Sequence, residues 1–170
     1  AFSPAADDTR PLQEQIASGI ALARRRYGVN RFFIYFQPYS STYGPASLLR
    51  QACETVLRFP GVVGLAVGTR PDCVDDEKLD ILASYLDRLD IWVEYGLQSI
   101  HDKTLRAINR NHTCEQFLTA FASARARGLK ICCHLILGLP GEEAEEMIET
   151  ARKVGQLEPD GVKIHPLYIA

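Results

Sequence analysis

Several common signatures are missing from this chain, and each absence narrows what it can be. No apolar run is long enough to cross a bilayer and no secretory leader opens the sequence, so the expected compartment is the cytoplasm. Neither phosphate-binding glycine pattern, G-x-x-x-x-G-K-S/T or G-x-G-x-x-G, occurs. Charge of one sign is not in excess. Nineteen basic and 21 acidic residues leave a net charge of -2, which supplies no bulk attraction to nucleic acid or an anionic membrane. Cysteine is limited to Cys53, Cys73, Cys114, Cys132 and Cys133. None shows paired metal-ligand spacing, and an odd count argues against a disulfide framework. Buried, reduced thiols are the expectation, with the adjacent Cys132 and Cys133 pointing to opposite faces of a strand.

What is present reads as an ordinary globular domain. The 170 residues are enough for one core, and 46% hydrophobic with 24% charged residues is typical of a packed domain. Strand patterns fall at Arg31 to Phe36, Val62 to Val67, Ile91 to Leu97, Ile131 to Leu137 and Val162 to His165. Helical patterns separate them: Leu12 to Tyr27, Ala46 to Phe59, Asp75 to Leu89, a stretch after Gln98, a helix from Thr113 to Gly128, and Glu142 to Gln156. Pro11 suits a helix start and Gly28 a stop, and Thr113 with Gln116 fits a capping box. Ala1 to Asp8 has little pattern and Gln37 to Gly44 is a polar loop. Unbroken alternation of strand and helix predicts parallel right-handed crossover units. Five strands in 170 residues cannot close an eight-stranded barrel of about 250 residues.

The choice is between an open doubly wound sheet and part of a curved barrel. In the strand from Ile91, the odd positions Ile91, Val93, Tyr95 and Leu97 are apolar. The even positions Trp92, Glu94, Gly96 and Gln98 are mixed. Across the strands one face collects Gln37, Thr69, Glu94, Gln98, His134, Lys163 and His165, all near C-terminal strand ends. Such ends are where α/β folds build their sites. A doubly wound sheet needs two apolar faces per strand, so the pattern favours an incomplete barrel with a polar lumen.

Individual signals have competing explanations. Gln98 and Arg110 could reach a polar ligand bearing a carboxylate, or the amide could cap Asp102 while the arginine is solvated. The Gly138-Leu139-Pro140-Gly141 loop could let backbone approach a ligand, or be an ordinary turn. His134 and His165 could be ligands or hydrogen-bonded core residues. Lys163 is either paired, with Glu94 as the candidate partner, or a catalytic amine; pairing is the simpler expectation. Arg24, Arg25 and Arg26 close a helix, where its dipole favours cations, and could alternatively contact RNA.

The motifs Tyr35-Phe36-Gln37-Pro38-Tyr39, Gly68-Thr69-Arg70-Pro71-Asp72 and Glu94-Tyr95-Gly96-Leu97-Gln98-Ser99 with Asn109-Arg110 occur in that order. His134 to Gly141 and Lys163-Ile164-His165-Pro166-Leu167 come after them. Together they resemble the radical S-adenosylmethionine (SAM) superfamily, in the branch holding oxygen-independent coproporphyrinogen oxidase and the elongator catalytic subunit. Among its members the resemblance is to a bacterial group without an assigned reaction. The resemblance implies five of the six strands of an incomplete TIM-like parallel (β/α) barrel with helices outside. It also implies a [4Fe–4S] cluster held by a Cys-x3-Cys-x2-Cys loop, reductive SAM cleavage to a 5′-deoxyadenosyl radical, and a flavodoxin- or ferredoxin-like electron donor. The three-cysteine loop is absent here, and Ala1 to Ala6 resembles the segment just downstream of that loop. The expectation is therefore a single-domain core fragment, residues 1–170, lacking its first strand and cluster and inactive as it stands. By resemblance Gln98 and Arg110 match SAM-contacting positions. His134 stands where relatives often carry an acid for the SAM ribose, and Gln37 replaces a glycine-rich segment near the SAM amino group. Thr69 and the Gly138 backbone are further SAM-binding candidates. The substrate is unassigned, with tRNA one option. The rival functions are a barrel lyase or isomerase using Lys163 as a Schiff-base amine, and a non-catalytic RNA-contacting module. An uncovered edge at Arg31 to Phe36 predicts self-association.

Overall fold

In the computed structural model, residues 10–37 and 40–167 are described. The segment Ala1 to Asp8, and Pro38 and Tyr39 of the first motif, lie outside the described residues. Elements alternate as the pattern predicts: α1 (Leu12–Tyr27), β1 (Phe32–Phe36), α2 (Ala46–Val56), β2 (Val62–Thr69), α3 (Asp76–Ala83), β3 (Asp90–Gln98), α4 (Asp102–Ala107), α5 (Cys114–Ala126), β4 (Lys130–Leu137), α6 (Ala144–Gln156) and β5 (Gly161–Pro166). The strands form one parallel sheet in the order β1-β2-β3-β4-β5. With helices around it, this is a half-barrel.

Local chemistry accounts for the element ends. Gly28 stops α1 with φ +65°, its N–H donating to the Arg24 carbonyl. Thr113 and Gln116 form the expected capping box at the start of α5. Glu143 and Glu146 form a second, unforeseen box that starts α6 two residues later than the acid pattern suggested. The third helix ends at Ala83 instead of continuing to Leu89, and Ser84 turns its hydroxyl back onto the Ile81 carbonyl. Tyr85 and Leu89 still bury their side chains from the turns beyond it.

Strand alternation sorts the sheet into two faces. The outer face of β2, β3 and β4 carries Leu65, Val67, Ile91, Val93, Tyr95, Leu97, Ile131, Cys133 and Leu135, which pack with α1, α2, α3 and α5 into the core. Tyr95 meets Phe117 edge-on, at 6.1 Å between ring centres, and donates its phenol to the Ala120 carbonyl at 3.1 Å. Burying such side chains stabilises the fold by about 1.5–3 kcal/mol each. Cys132 and Cys133 do face opposite ways: Cys132 pairs with Glu94 on the inner face, Cys133 with Tyr95 on the outer. β5 is the exception to burial. As the last strand it pairs only with β4, and Val162 and Ile164 are exposed on its outer face.

Candidate functional site

The inner face opens at the C-terminal strand ends into a cavity of about 700 Å³. All seven residues placed on the polar face by alternation line it: Gln37, Thr69, Glu94, Gln98, His134, Lys163 and His165. Arg110 joins them from beyond α4. Gly138 does not line it; its φ is +82° and its N–H points to Met147 Sδ at 3.2 Å.

One wall is built on Gly96. The Arg110 Nη2 group donates to the Gly96 carbonyl at 2.8 Å. A Cβ at residue 96 would lie 2.7 Å from Arg110 Nη2 and 2.9 Å from Gln98 Nε2, so only a glycine leaves room for both. Arg110 is thus folded, half-buried, under the strand end, and Asp102 accepts from the Cys114 N–H, not from Gln98. Arg110 Nε and Gln98 Oε1 are buried without a protein partner. Burial, reinforced by the nearby Arg70 charge, pushes the Arg110 guanidinium below its ordinary value. Behind it His112 is buried, with Nε2 3.3 Å from the Leu97 carbonyl, and burial and the Arg110 charge push its pKa down.

Gln98 is held in a rare backbone state. Its φ is +71°, and the Ser99 N–H closes a three-residue turn on the Leu97 carbonyl at 3.0 Å. Such a turn on a non-glycine residue costs about 1–3 kcal/mol and persists only when its surroundings impose it. Here they do. The fully buried Ser99 hydroxyl donates to Glu142 and accepts from the His101 N–H at 3.0 Å. His101 Nε2 lies 3.1 Å from the Glu146 carbonyl. The β3–α4 loop is therefore latched to the start of α6.

Thr69 has a different job from the one alternation suggested. It pairs with Tyr95 in the outer row, is buried, and its hydroxyl lies 2.6 Å from that of Thr42, which donates to the Cys73 carbonyl at 2.7 Å. Gln37 is exposed at the cavity rim just past β1.

The floor centres on Glu94. Its Oε2 accepts from His134 Nε2 at 2.8 Å and from Lys163 Nζ at 2.5 Å. The Lys163–Glu94 pairing read from the sequence is what the fold builds. Burial alone would raise the Glu94 pKa, but hydrogen bonds from His134, Lys163 and Tyr35 outweigh it and hold the carboxyl at about 2. Lys163 Nζ also lies 4.4 Å over the Tyr35 ring, and the His134 and His165 rings are 5.6 Å apart.

Two kinds of bound group can be tested against these residues. Glu94, Cys132 and His134 bring a carboxylate oxygen, a thiol and an imidazole nitrogen within 4.8 Å of one another. The cation on that carboxylate is the protein's own Lys163. An iron–sulfur cluster requires several thiolates at one place. Among the described residues no three cysteines come together: Cys53, Cys73 and Cys133 are buried, Cys132 faces the inner side and Cys114 opens α5. These residues do not fit a cluster. The Gln98–Arg110 wall, with its two unpartnered buried atoms beside a bare glycine, does fit a polar, carboxylate-bearing ligand such as SAM.

A parallel half-barrel with a polar cavity across its C-terminal strand ends defines the class. Residues 7–154 match the radical SAM superfamily, and the chain belongs to that superfamily. It is 45% identical over 160 residues to the uncharacterized protein MJ0486 of Methanocaldococcus jannaschii, covering 94% of this chain and 49% of that protein. It is 43% identical over 169 residues to protein YhcC of Escherichia coli, covering 99% of this chain and 54% of that protein. The chain thus spans about half the length of the curated relatives it matches. The solved Methanocaldococcus infernus Elp3 superimposes with a TM-score of 0.73 over 92% of this chain and 41% of that one, at 19% identity, a likeness of fold. Matches to coproporphyrinogen-oxidase-like and elongator proteins agree with the branch that the motifs indicated. No helix of the described residues is long and apolar enough to cross a membrane.

Proposed function

We propose that this chain is the SAM-holding core of a radical SAM enzyme. The observation that carries the reading is the pair of buried, unpartnered atoms Gln98 Oε1 and Arg110 Nε on one cavity wall. A desolvated amide oxygen and guanidinium N–H without partners each cost about 1–3 kcal/mol, a cost that a ligand carrying a donor and a carboxylate removes. Arg110 binds the carboxylate, Gln98 takes a donor of the same ligand, and Gly96 leaves the space. His134 and Gln37 face the remainder of SAM, while Thr69 and the Gly138 turn support the loops around it.

The cluster, in this proposal, is held by sequence outside this chain, and the electron comes from a flavodoxin- or ferredoxin-like donor. A cluster held there would supply the electron for SAM cleavage. The residues of this chain bind SAM, orient it and screen it from water. The substrate is not specified by this wall. A Schiff-base role for Lys163 is disfavoured by its ion pair with Glu94, since an imine-forming amine must be neutral and free. Arg24 stacks on Phe32 at the opposite end of β1 from the cavity, which separates any RNA contact there from the site.

The test is SAM titration into the protein carrying its upstream sequence, reconstituted anaerobically with iron and sulfide, with 5′-deoxyadenosine formation as the second readout. Gln98→Ala and Arg110→Ala should each weaken SAM binding at least about tenfold with little change in melting temperature. Binding indifferent to both substitutions, or an upstream sequence without a three-cysteine loop, would end the proposal.

A further inference from the structure

The cavity has a second polar station, centred on Glu94, Lys163 and His165, to which the proposed SAM cradle assigns no role. Glu94 lies four residues before Gln98 on β3, about 13 Å of strand away from it. Around Glu94 stand Tyr35, His134, Lys163 and His165. The ion pair at its centre is lopsided. The Glu94 side chain is 8% exposed and that of Lys163 is 41% exposed. The carboxylate is sealed in and the ammonium is presented to the cavity. An ion pair serving only to fill a core would bury both ends, and an apolar pair would stabilise such a core equally well.

The ammonium has donors to spare. Lys163 carries three N–H groups. One reaches Glu94, and the Tyr35 ring lies against the group. Among the described residues it meets no other hydrogen-bond acceptor. His165 is exposed beside it and contacts the His134 ring, with no hydrogen bond of its own among the described residues. The charge lining the cavity points the same way. Arg70, Arg110 and Lys163 line it, Arg70 is bonded to Asp72, and Glu94 is the only carboxylate among the lining residues. A cationic ligand group would find no free counter-charge at this station, whereas an anion would find unspent donors.

We infer that Lys163 and His165 form a receptor for an acidic group, carboxylate or phosphate, on a molecule other than SAM, with Glu94 holding the ammonium in place. On the radical SAM reading this is the substrate's anchor, so the substrate is an acid. The receptor itself does not depend on that reading, because its residues are distinct from Gln98 and Arg110. His134 is a positioning residue here, sharing the carboxylate that fixes Lys163.

The experiment uses the 170-residue chain with two probes, inorganic phosphate and succinate. Binding is monitored by calorimetry and by the histidine ring resonances in NMR spectra. Saturable binding of at least one probe, with His165 and His134 ring shifts, is expected. Which probe binds separates a phosphate from a carboxylate receptor. Lys163→Met should weaken binding at least about tenfold, and Lys163→Arg should retain it. Because Lys163→Met strands a buried carboxylate, the double variant Glu94→Gln with Lys163→Met serves as the folded control and must also lose binding. Lys153→Met, at a lysine outside the cavity, must bind the probes as the parent does, and because the assay contains no SAM, a failed SAM cradle and a failed acid receptor give different results. Absence of saturable binding by both probes, or equal affinity in the double variant, would overturn the inference.

Discussion

Replacing Glu94 by glutamine removes the charge at the floor of the cavity while keeping its shape, and the consequence is readable as a function of pH. The folded carboxyl sits at about 2 against an ordinary 4.5. At about 1.4 kcal/mol per pH unit, the folded anion gains about 3 kcal/mol. The direction comes from proton counting. Between pH 2 and 4.5 the unfolded chain holds the proton and the folded one does not, so stability rises with pH across that window. The contribution is complete above about pH 4.5 and is lost as pH falls toward 2. Urea unfolding of the parent and of Glu94→Gln, measured at intervals from pH 7 to 2.5, isolates it because every other acid titrates in both proteins. The difference between the two stability curves should be flat above pH 5 and then shrink by about 2–3 kcal/mol on acidification. Parallel curves throughout would refute the claim that His134, Lys163 and Tyr35 outweigh the burial of this carboxylate.

The same geometry sets the outcome of other substitutions. Gly96→Ala should displace the Arg110 and Gln98 tips, both far ends of flexible side chains, and weaken SAM binding about tenfold or more while melting within a few degrees of the parent; undiminished SAM affinity would contradict it. Ser99→Ala removes the bond to Glu142 and should cost about 1–3 kcal/mol in denaturant unfolding, with Gln98 released from its left-handed turn. An unchanged unfolding midpoint would show that the latch holds nothing. Burial pushes Cys53 and Cys133 up to about 12 and Cys132 up to about 11, while Cys114 is only half-buried. Ellman's reagent at neutral pH should therefore modify one thiol slowly in the native protein and the other four on unfolding; two or more fast native thiols would be the contrary result.

Much of this architecture could be read from residue order alone, because strand alternation and helix punctuation are local. The parallel strands, the Thr113 capping box and the opposite facing of Cys132 and Cys133 each depend on neighbours within a few positions. Even the Glu94–Lys163 pair was accessible, since a lysine and a glutamate on the same inward row have few other partners. What escaped depends on contacts between distant segments or on backbone state. Thr69 reads as an inward polar residue until the hydroxyl of Thr42, itself bonded to the Cys73 carbonyl, pairs with it. Nothing in the motif around Gln98 indicates a positive φ, because that conformation is imposed by Glu142, which lies 43 residues from Ser99. Arg110 reads equally as a ligand contact or a solvated residue and His112 carries no signal at all; their places under β3 appear only once the chain beyond α4 folds back. The short helical turn at Pro71–Cys73 was likewise indistinguishable from loop.

The bond between Lys163 and Glu94 spans strands that are not neighbours. β4 lies between β3 and β5, and two strand spacings put those backbones nearly 10 Å apart. The two long side chains close that gap on the inner side, so the bond doubles as a tie-rod between the outermost strand and β3. A molecule that draws the ammonium toward itself slackens the rod. What occupies the cavity therefore bears on how firmly the last strand is held from its inner side.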